Sequence, residues 1–316
     1  MSKKIIYSTR PFRDEFISQI NRIAPDYMWC TEITPSQVSD VEIMIGWDNK
    51  LADELLSEHA SLSWFQAISA GVDYLPLEKF SERSLLLSNA SGLHADSISQ
   101  HVLATILCDY RGIRKAILNQ KVQLWKDDSI TYHSLENTNI VIVGTGKIGQ
   151  RLAELLYPFG PNIFGINTSG HTVSHFKKVY PLNQLLDFLP SMDIVINILP
   201  LTDETTGLYN AEFFSSMKKE ASFINVGRGP SVNTGDLIEA LNKKQLRFAA
   251  LDVFEEEPLP KNHPLWTMEN VLITPHSSGM TPNFQEKFMK IFLENLKSYT
   301  KTRSISINQV NLRKGY

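Results

Sequence analysis

Val141-Ile142-Val143-Gly144-Thr145-Gly146-Lys147-Ile148-Gly149-Gln150-Arg151-Leu152-Ala153 reads as an apolar strand, a glycine-rich turn and the opening of a helix. A Gly-x-Gly-x-x-Gly string alone is weak evidence, because glycine-rich turns are common. Here it follows an apolar strand and opens a helix that carries Ile148, Leu152 and Leu155 on one face, the context a dinucleotide-binding loop requires. Gly144 permits the tight turn, Gly146 lets a pyrophosphate approach the backbone, and Gly149 lets helix and strand pack closely. The helix N-terminus adds N–H groups and a dipole that favour phosphate. Thr145, Lys147 and Ile148 share the turn and count as cofactor-binding candidates with the glycines. The bland alternative is an ordinary strand–helix turn.

Some twenty residues on, an enzyme using NAD carries Asp or Glu to bind the ribose hydroxyls. The next strand, Asn162–Asn167, ends in Asn167 instead, followed by Thr168, Ser169, Gly170 and His171. No carboxylate is there to repel a 2′-phosphate, and Thr168, Ser169, His171, Lys177 and Lys178 are candidates to bind one. An arginine to pair with that phosphate is missing, so the expectation is NADP or NAD, with NADPH slightly favoured.

Outward from this loop the chain repeats strand then helix, the pattern of parallel α/β architecture. The early strands are expected at Lys4–Ser8, Tyr27–Cys30, Glu42–Gly46, Ser63–Ala67 and Leu85–Ser88, with helices at Phe12–Ile23 and Leu51–His59. A long buried helix is expected from Ser97 to Leu118, capped by Asp96 or Ser97, with Ile98, Val102, Leu103, Ile106, Leu107 and Tyr110 at helical spacing, as a connector between two lobes. A second series of strands follows at Asn139–Val143, Asn162–Asn167, Asp193–Ile198, Ser222–Val226, Arg247–Asp252 and Val271–Thr274. A last helix, Thr281–Thr300, lies outside the series and is expected to return to the first lobe.

At 316 residues the chain is long for one core, and the length favours two domains. Its 42% hydrophobic and 21% charged residues argue for a packed protein and against disorder. A formal charge of −3 supplies no field to hold nucleic acid or an anionic membrane. No apolar run reaches the roughly 20 residues that span a bilayer. Cys30 and Cys108 have neither metal-ligand nor redox spacing and are expected as free thiols of a cytoplasmic protein, and no metal site is expected.

Three later segments carry the chemistry. Phe223-Ile224-Asn225-Val226-Gly227-Arg228-Gly229-Pro230 puts an arginine just past a strand. Ala250-Leu251-Asp252-Val253-Phe254-Glu255-Glu256-Glu257-Pro258 and Asn270-Val271-Leu272-Ile273-Thr274-Pro275-His276-Ser277 follow the next two. Ligands of open α/β sheets bind beyond the carboxyl ends of the strands. A 2-oxo acid offers a carboxylate that an arginine holds by two parallel charge-assisted bonds. Hydride arriving at the carbonyl carbon creates an alkoxide that needs a proton, which a histidine donates while a carboxylate on its other nitrogen orients the ring.

In order and spacing these segments resemble the D-isomer-specific 2-hydroxyacid dehydrogenases, from about Trp64 to Gly279 and most densely after Asn139. The resemblance assigns carboxylate binding to Arg228, proton donation to His276 and ring orientation to Glu257. Glu257 is picked from three adjacent glutamates because it directly precedes Pro258; Glu255 and Glu256 are expected to face solvent. Asp252 has two readings: it holds Arg228 or the nicotinamide carboxamide, or it is a simple strand-end cap. Ala67–Asp73 resembles the family's substrate loop, which makes Ala70 and Gly71 substrate-binding candidates, and Leu199, Pro200 and Val226 resemble residues lining the cofactor. His94, His101 and His133 are expected in packing or surface roles.

The resemblance implies two doubly wound parallel-sheet lobes: a Rossmann dinucleotide-binding domain, residues 98–284, inserted in a flavodoxin-like substrate domain of residues 1–97 plus 285–316. It also implies a reductase of glyoxylate, hydroxypyruvate or branched 2-oxo acids, and a homodimer in which the stripe around Ile106 and Tyr110 takes part. The rival readings are a nicotinamide-sensing interaction protein of the same fold and a phosphoglycerate- or formate-type dehydrogenase. Absence of an appended regulatory domain counts against phosphoglycerate oxidation.

Overall fold

A computed structural model describes residues 4–125 and 130–315; Tyr316 and the outermost residues of the expected substrate domain, 1–3, lie outside these. The chain divides into two compact units, Met1–Leu93 with Thr281–Tyr316, and His94–Met280. The junctions thus fall at Leu93/His94 and Met280/Thr281, where the sequence pattern suggests 97/98 and 284/285.

In the first unit, strands β1 (Lys4–Ser8), β2 (Tyr27–Cys30), β3 (Val41–Ile45), β4 (Trp64–Gln66) and β5 (Leu86–Ser88) pair in the order β2-β1-β3-β4-β5, all parallel. Side chains alternate between the two faces of a strand. Ile6, Ile43 and Trp64 therefore pack on one side with Phe288, Phe292 and Tyr299 of the last helix, Phe284–Thr302, while Ile5, Met44 and Phe65 pack on the other with Leu55 and Phe80. A parallel sheet covered on both faces is the doubly wound arrangement, and this order is the flavodoxin-like one.

The second unit holds β6 (Asn139–Val143), β7 (Asn162–Asn167), β8 (Lys178–Pro181), β9 (Ile194–Asn197), β10 (Ala221–Asn225), β11 (Leu246–Leu251) and β12 (Val271–Ile273). They pair in parallel in the order β12-β11-β10-β9-β6-β7-β8. Counted from β6, this is the Rossmann strand order with one strand added. Helices Ala95–Tyr110 and Lys147–Leu156 bury one face through Val102, Ile106, Tyr110, Leu152 and Leu156 against Ile140, Ile142, Ile194 and Ile196. Val141, Val195, Phe223 and Leu251 pack the other face with Phe213 and Leu237.

The expected helix from Ser97 to Leu118 is two helices, Ala95–Tyr110 and Ile113–Lys121, because Gly112 between them turns to φ +64°. Neither Asp96 nor Ser97 caps it: the helix starts at Ala95, and Asp96 instead pairs with Arg151 Nε at 2.8 Å. It belongs to the second unit and begins just after the Leu93/His94 junction. Ile106 and Tyr110 are buried in this chain's own core, so they offer nothing to a second copy. Strand β8 escaped the sequence pattern because Lys-Val-Tyr-Pro buries only Val179.

One charged group lies inside the first unit. Glu42, in β3, accepts hydrogen bonds from Tyr27 Oη at 2.5 Å and Tyr299 Oη at 3.0 Å, and pairs with Lys4 Nζ at 2.5 Å and with Arg303. Burial alone raises a carboxyl, but the bonds from Lys4, Tyr27 and Tyr299 and the Arg303 charge outweigh it and hold Glu42 below the usual range. Its contribution to stability is therefore present above the unfolded value of about 4.3 and is lost as pH falls through the lower folded value. Lys4 and Arg303 are about half exposed, so water screens their pairs with Glu42, whereas the buried Tyr27 and Tyr299 hydroxyls depend on it as acceptor. Glu42→Gln is accordingly expected to lower the urea midpoint strongly at pH 7, with the gap to the wild type closing as the pH is taken down through 4.

Candidate active site

The glycine turn joins β6 to helix Lys147–Leu156. A Cβ placed on Gly149 would stand 2.0 Å from the Gly144 carbonyl oxygen, so only glycine lets the first turn of the helix lie against the strand end. A Cβ on Gly146 would meet nothing within 4 Å. That open space in front of the helix N-terminus is what a pyrophosphate needs, and Lys147 and Gly146 are exposed beside it. The residues present fit a dinucleotide.

At the end of β7, Asn167 spends its whole amide on its own loop. Oδ1 accepts the Ser169 and Gly170 N–H groups at 3.2 and 2.6 Å, and Nδ2 donates to Thr145 Oγ1 at 2.9 Å and to the His171 carbonyl at 3.1 Å. Asn167 thus shapes the 168–171 turn and ties it to the glycine turn; Ser169 Oγ also meets His171 Nδ1 at 3.1 Å. The two lysines suggested for a 2′-phosphate are at the wrong end of the strand. Lys177 donates to Asn162, the first residue of β7, and Lys178 pairs opposite Phe164 and lies over Tyr180.

The carboxyl ends of β9, β10 and β11 carry a buried polar row that sequence patterning missed. Asn197 Nδ2 donates to Asn225 Oδ1 at 2.9 Å and to Ser231 Oγ at 3.1 Å, and Asn197 Oδ1 accepts from Tyr209 Oη and from the Leu199 N–H. Asn225 Oδ1 accepts the Gly227 N–H, and its amide donates to the Arg228 carbonyl at 3.2 Å. These bonds fix the turns bearing Leu199, Pro200, Val226 and Arg228. Alternating asparagines at strand ends were the available signal. Gly229 then packs directly against the Phe254 backbone, bringing the loop after β10 to the loop after β11.

Glu257 and His276 meet there: Glu257 Oε2 lies 2.8 Å from His276 Nδ1, and Oε1 accepts the Phe254 N–H at 2.9 Å. Of its neighbours, Glu255 caps the Thr234 N–H and Glu256 is exposed. A cavity of about 450 Å³ opens beside the pair, walled by Phe254, Pro258, Leu259, Trp266, Ile273 and Pro275. Asp252, 1% exposed, accepts from Thr274, Ser277 and Ser278, so its carboxylate holds the turn that carries His276. His101 reaches Thr274 Oγ1 at 3.3 Å, His94 binds the Gly279 carbonyl, and His133 packs on Tyr110. His263 caps the short turn before Trp266. Ala70 and Gly71 belong to the first unit, in a loop after β4 where the Ala70 carbonyl accepts from Asn89 and the Gly71 carbonyl from Ser69.

Residues 103–278, more than half of the chain, match the family described as D-isomer specific 2-hydroxyacid dehydrogenase, NAD binding domain. A glyoxylate reductase/hydroxypyruvate reductase of Mus musculus is 34% identical over 241 residues, 74% of this chain and 72% of that protein. A phosphoglycerate dehydrogenase structure from Lactobacillus plantarum is 37% identical with a TM-score of 0.59, covering 98% of this chain and all of that one. A D-isomer specific 2-hydroxyacid dehydrogenase from Xanthobacter autotrophicus Py2, solved with NADPH and MES, is 27% identical with a TM-score of 0.83 over the full length of both chains.

The glycine geometry separates two variants. Gly149→Ala is expected to cost about 1–3 kcal/mol of stability, since backbone must move to admit the methyl group. Gly146→Ala meets no atom, so its unfolding midpoint should match the wild type while dinucleotide affinity, titrated by nicotinamide fluorescence, falls. Unimpaired binding by Gly146→Ala would remove this turn from the cofactor site.

Proposed function

The chain belongs to the D-isomer specific 2-hydroxyacid dehydrogenase family and is a nicotinamide-dependent oxidoreductase; on that premise we propose that it reduces a small 2-oxo acid, of glyoxylate, hydroxypyruvate or branched type, to the D-2-hydroxy acid. The observation that carries this reading is the 2.8 Å Glu257–His276 pair, formed by the loops after the next two strands along from the one that precedes Arg228 in a parallel sheet. We assign the His94–Met280 unit to the dinucleotide and the other unit, with Ala70 and Gly71, to the substrate.

Arg228 binds the substrate carboxylate and orients the adjacent carbonyl. The turn of Gly144, Gly146 and Gly149 would hold the dinucleotide, whose nicotinamide would supply the hydride for the carbonyl carbon. His276 donates a proton from Nε2 to the carbonyl oxygen as negative charge develops there. Its Nδ1 stays engaged with Glu257, which fixes the ring plane and leaves Nε2 as the donor. The apolar walls around the pair admit a hydrocarbon substituent, which supports including branched acids in the substrate class.

NADPH is the favoured cofactor. Asn167 presents no carboxylate against a 2′-phosphate, and Thr168, Ser169 and His171 form the turn that would receive it, without help from Lys177 or Lys178. A homodimer is proposed as well, but through helix Ile113–Lys121 and the residues after it: Ile113, Ile117, Val122, Leu124 and Trp125 are exposed together. Among the described residues no helix is long and apolar enough to cross a membrane. The free thiols Cys30 and Cys108 support assigning the enzyme to the cytoplasm. A second reading, phosphoglycerate dehydrogenation, is favoured by the Lactobacillus plantarum likeness.

Steady-state rates with glyoxylate, hydroxypyruvate, a branched 2-oxo acid and 3-phosphohydroxypyruvate, each with NADPH and NADH, test both readings. No turnover of any oxo acid would end the first. His276→Ala is expected to lower kcat ~10²–10⁴-fold, the ordinary worth of general acid catalysis. Arg228→Ala should act mainly on KM, and an unchanged KM would remove it from carboxylate binding. Asn167→Asp should move kcat/KM toward NADH; a wild type already selective for NADH would contradict the cofactor assignment. For the dimer, Ile117→Glu should shift the mass measured by light scattering to that of one chain.

A further inference from the structure

His276 sits at φ +50°, in the left-handed region that side chains other than glycine rarely adopt, so its neighbours must hold it there. Its N–H donates to the Asp252 carbonyl at 2.7 Å and to the Thr274 carbonyl at 3.1 Å. The Asp252 carboxylate then grips the chain on both sides of His276. Oδ1 accepts the Thr274 hydroxyl at 2.5 Å and the Ser277 N–H at 2.9 Å, and Oδ2 accepts the Ser278 N–H at 3.0 Å. Burial raises a carboxyl, yet these bonds outweigh it and keep Asp252 below the usual range, hence ionised and an acceptor only.

Thr274 has a single hydroxyl proton, and Asp252 takes it. The second contact of that hydroxyl, His101 Nε2 at 3.3 Å, must therefore be one in which the imidazole donates. His101 stands on helix Ala95–Tyr110. A chain of three bonds, from helix to threonine to carboxylate to the catalytic turn, results within one unit. A valine in place of Thr274 keeps the shape but takes the hydroxyl bond from Asp252, which retains the Ser277 and Ser278 N–H groups, and the Thr274 contact from His101.

We propose that Thr274, backed by His101, is a positioning residue for the reaction: through Asp252 it sets the backbone turn from which His276 donates its proton. The proposal rests on the reading of His276 as the proton donor. It makes the threonine part of proton delivery, although its hydroxyl bonds to Asp252 and His101 and not to the His276 ring.

The test compares Thr274→Val, Thr274→Ser, His101→Leu and His276→Ala, alone and with Thr274→Val added to His276→Ala. Thr274→Val should lower kcat ~10- to 100-fold, the scale of a misplaced group, with KM for the oxo acid and affinity for NADPH changed by less than about twofold. Thr274→Ser should recover most of kcat, His101→Leu should show a smaller loss of the same kind, and Thr274→Val should cost nothing further once His276 is gone. Wild-type kcat in Thr274→Val, a serine variant as impaired as the valine, or an additive loss in the double variant would each overturn the proposal. Should the valine variant not fold, His101→Leu and Thr274→Ser carry the test, and an unaltered kcat in the former overturns the proposal. Near-normal turnover by His276→Ala would instead refute the underlying assignment of the proton donor.

Discussion

In an all-parallel sheet every strand leaves at the same edge, and the peptide and side-chain groups at that edge are half inside the core. That constraint organises the second unit. β9, β10 and β11 end at Asn197, Asn225 and Leu251, each followed by a turn whose backbone must find partners. Asn197, Asn225 and Asp252 supply them from positions 0–1% exposed. An unpaired polar group there would cost more than any single surface contact returns, so the three side chains leave the turns little freedom. Arg228 and His276 are carried by turns held in this way.

The dinucleotide end obeys a different constraint, one of closeness. Gly149 brings the helix onto the strand end, and Gly146 leaves a gap in front of the helix where the N-terminal dipole would stabilise a phosphate. Asn167 belongs to the same assembly, because its amide joins the glycine turn at Thr145 to the turn at His171. The residue where an acid was expected has become part of the scaffold. In the proposed cofactor assignment, discrimination between NADPH and NADH would fall to Thr168, Ser169 and His171, which that scaffold presents.

Strands were legible wherever both faces are buried, since Ile-Val-Ile-Val or Ser-Phe-Ile-Asn between turn formers has no other economical reading. Legibility failed where one residue or one partner decides. Gly112 divides a helical stripe that continues unbroken in pattern, and β8 is an edge strand with one buried residue. Ile106 and Tyr110 read equally well as core or as interface, because an apolar stripe does not say what covers it. Lys177 and Lys178 are close to Asn167 in sequence, yet the parallel pairing of β7 with β8 sets them at the opposite end of the strand.

By itself the sequence determined the alternation of strand and helix, the glycine turn and the three chemistry-bearing strand ends, all of which are local patterns of residue type. It also singled out Glu257 from three glutamates, through the proline beside it. Tertiary structure alone decided the polar row of Asn197, Asn225 and Asp252, the bond from His101 to Thr274, and the internal use of Asn167. The reason is physical. Apolar periodicity records which face of an element is buried, whereas a buried hydrogen bond depends on which distant residue arrives opposite it, and that is settled only when the sheet is assembled.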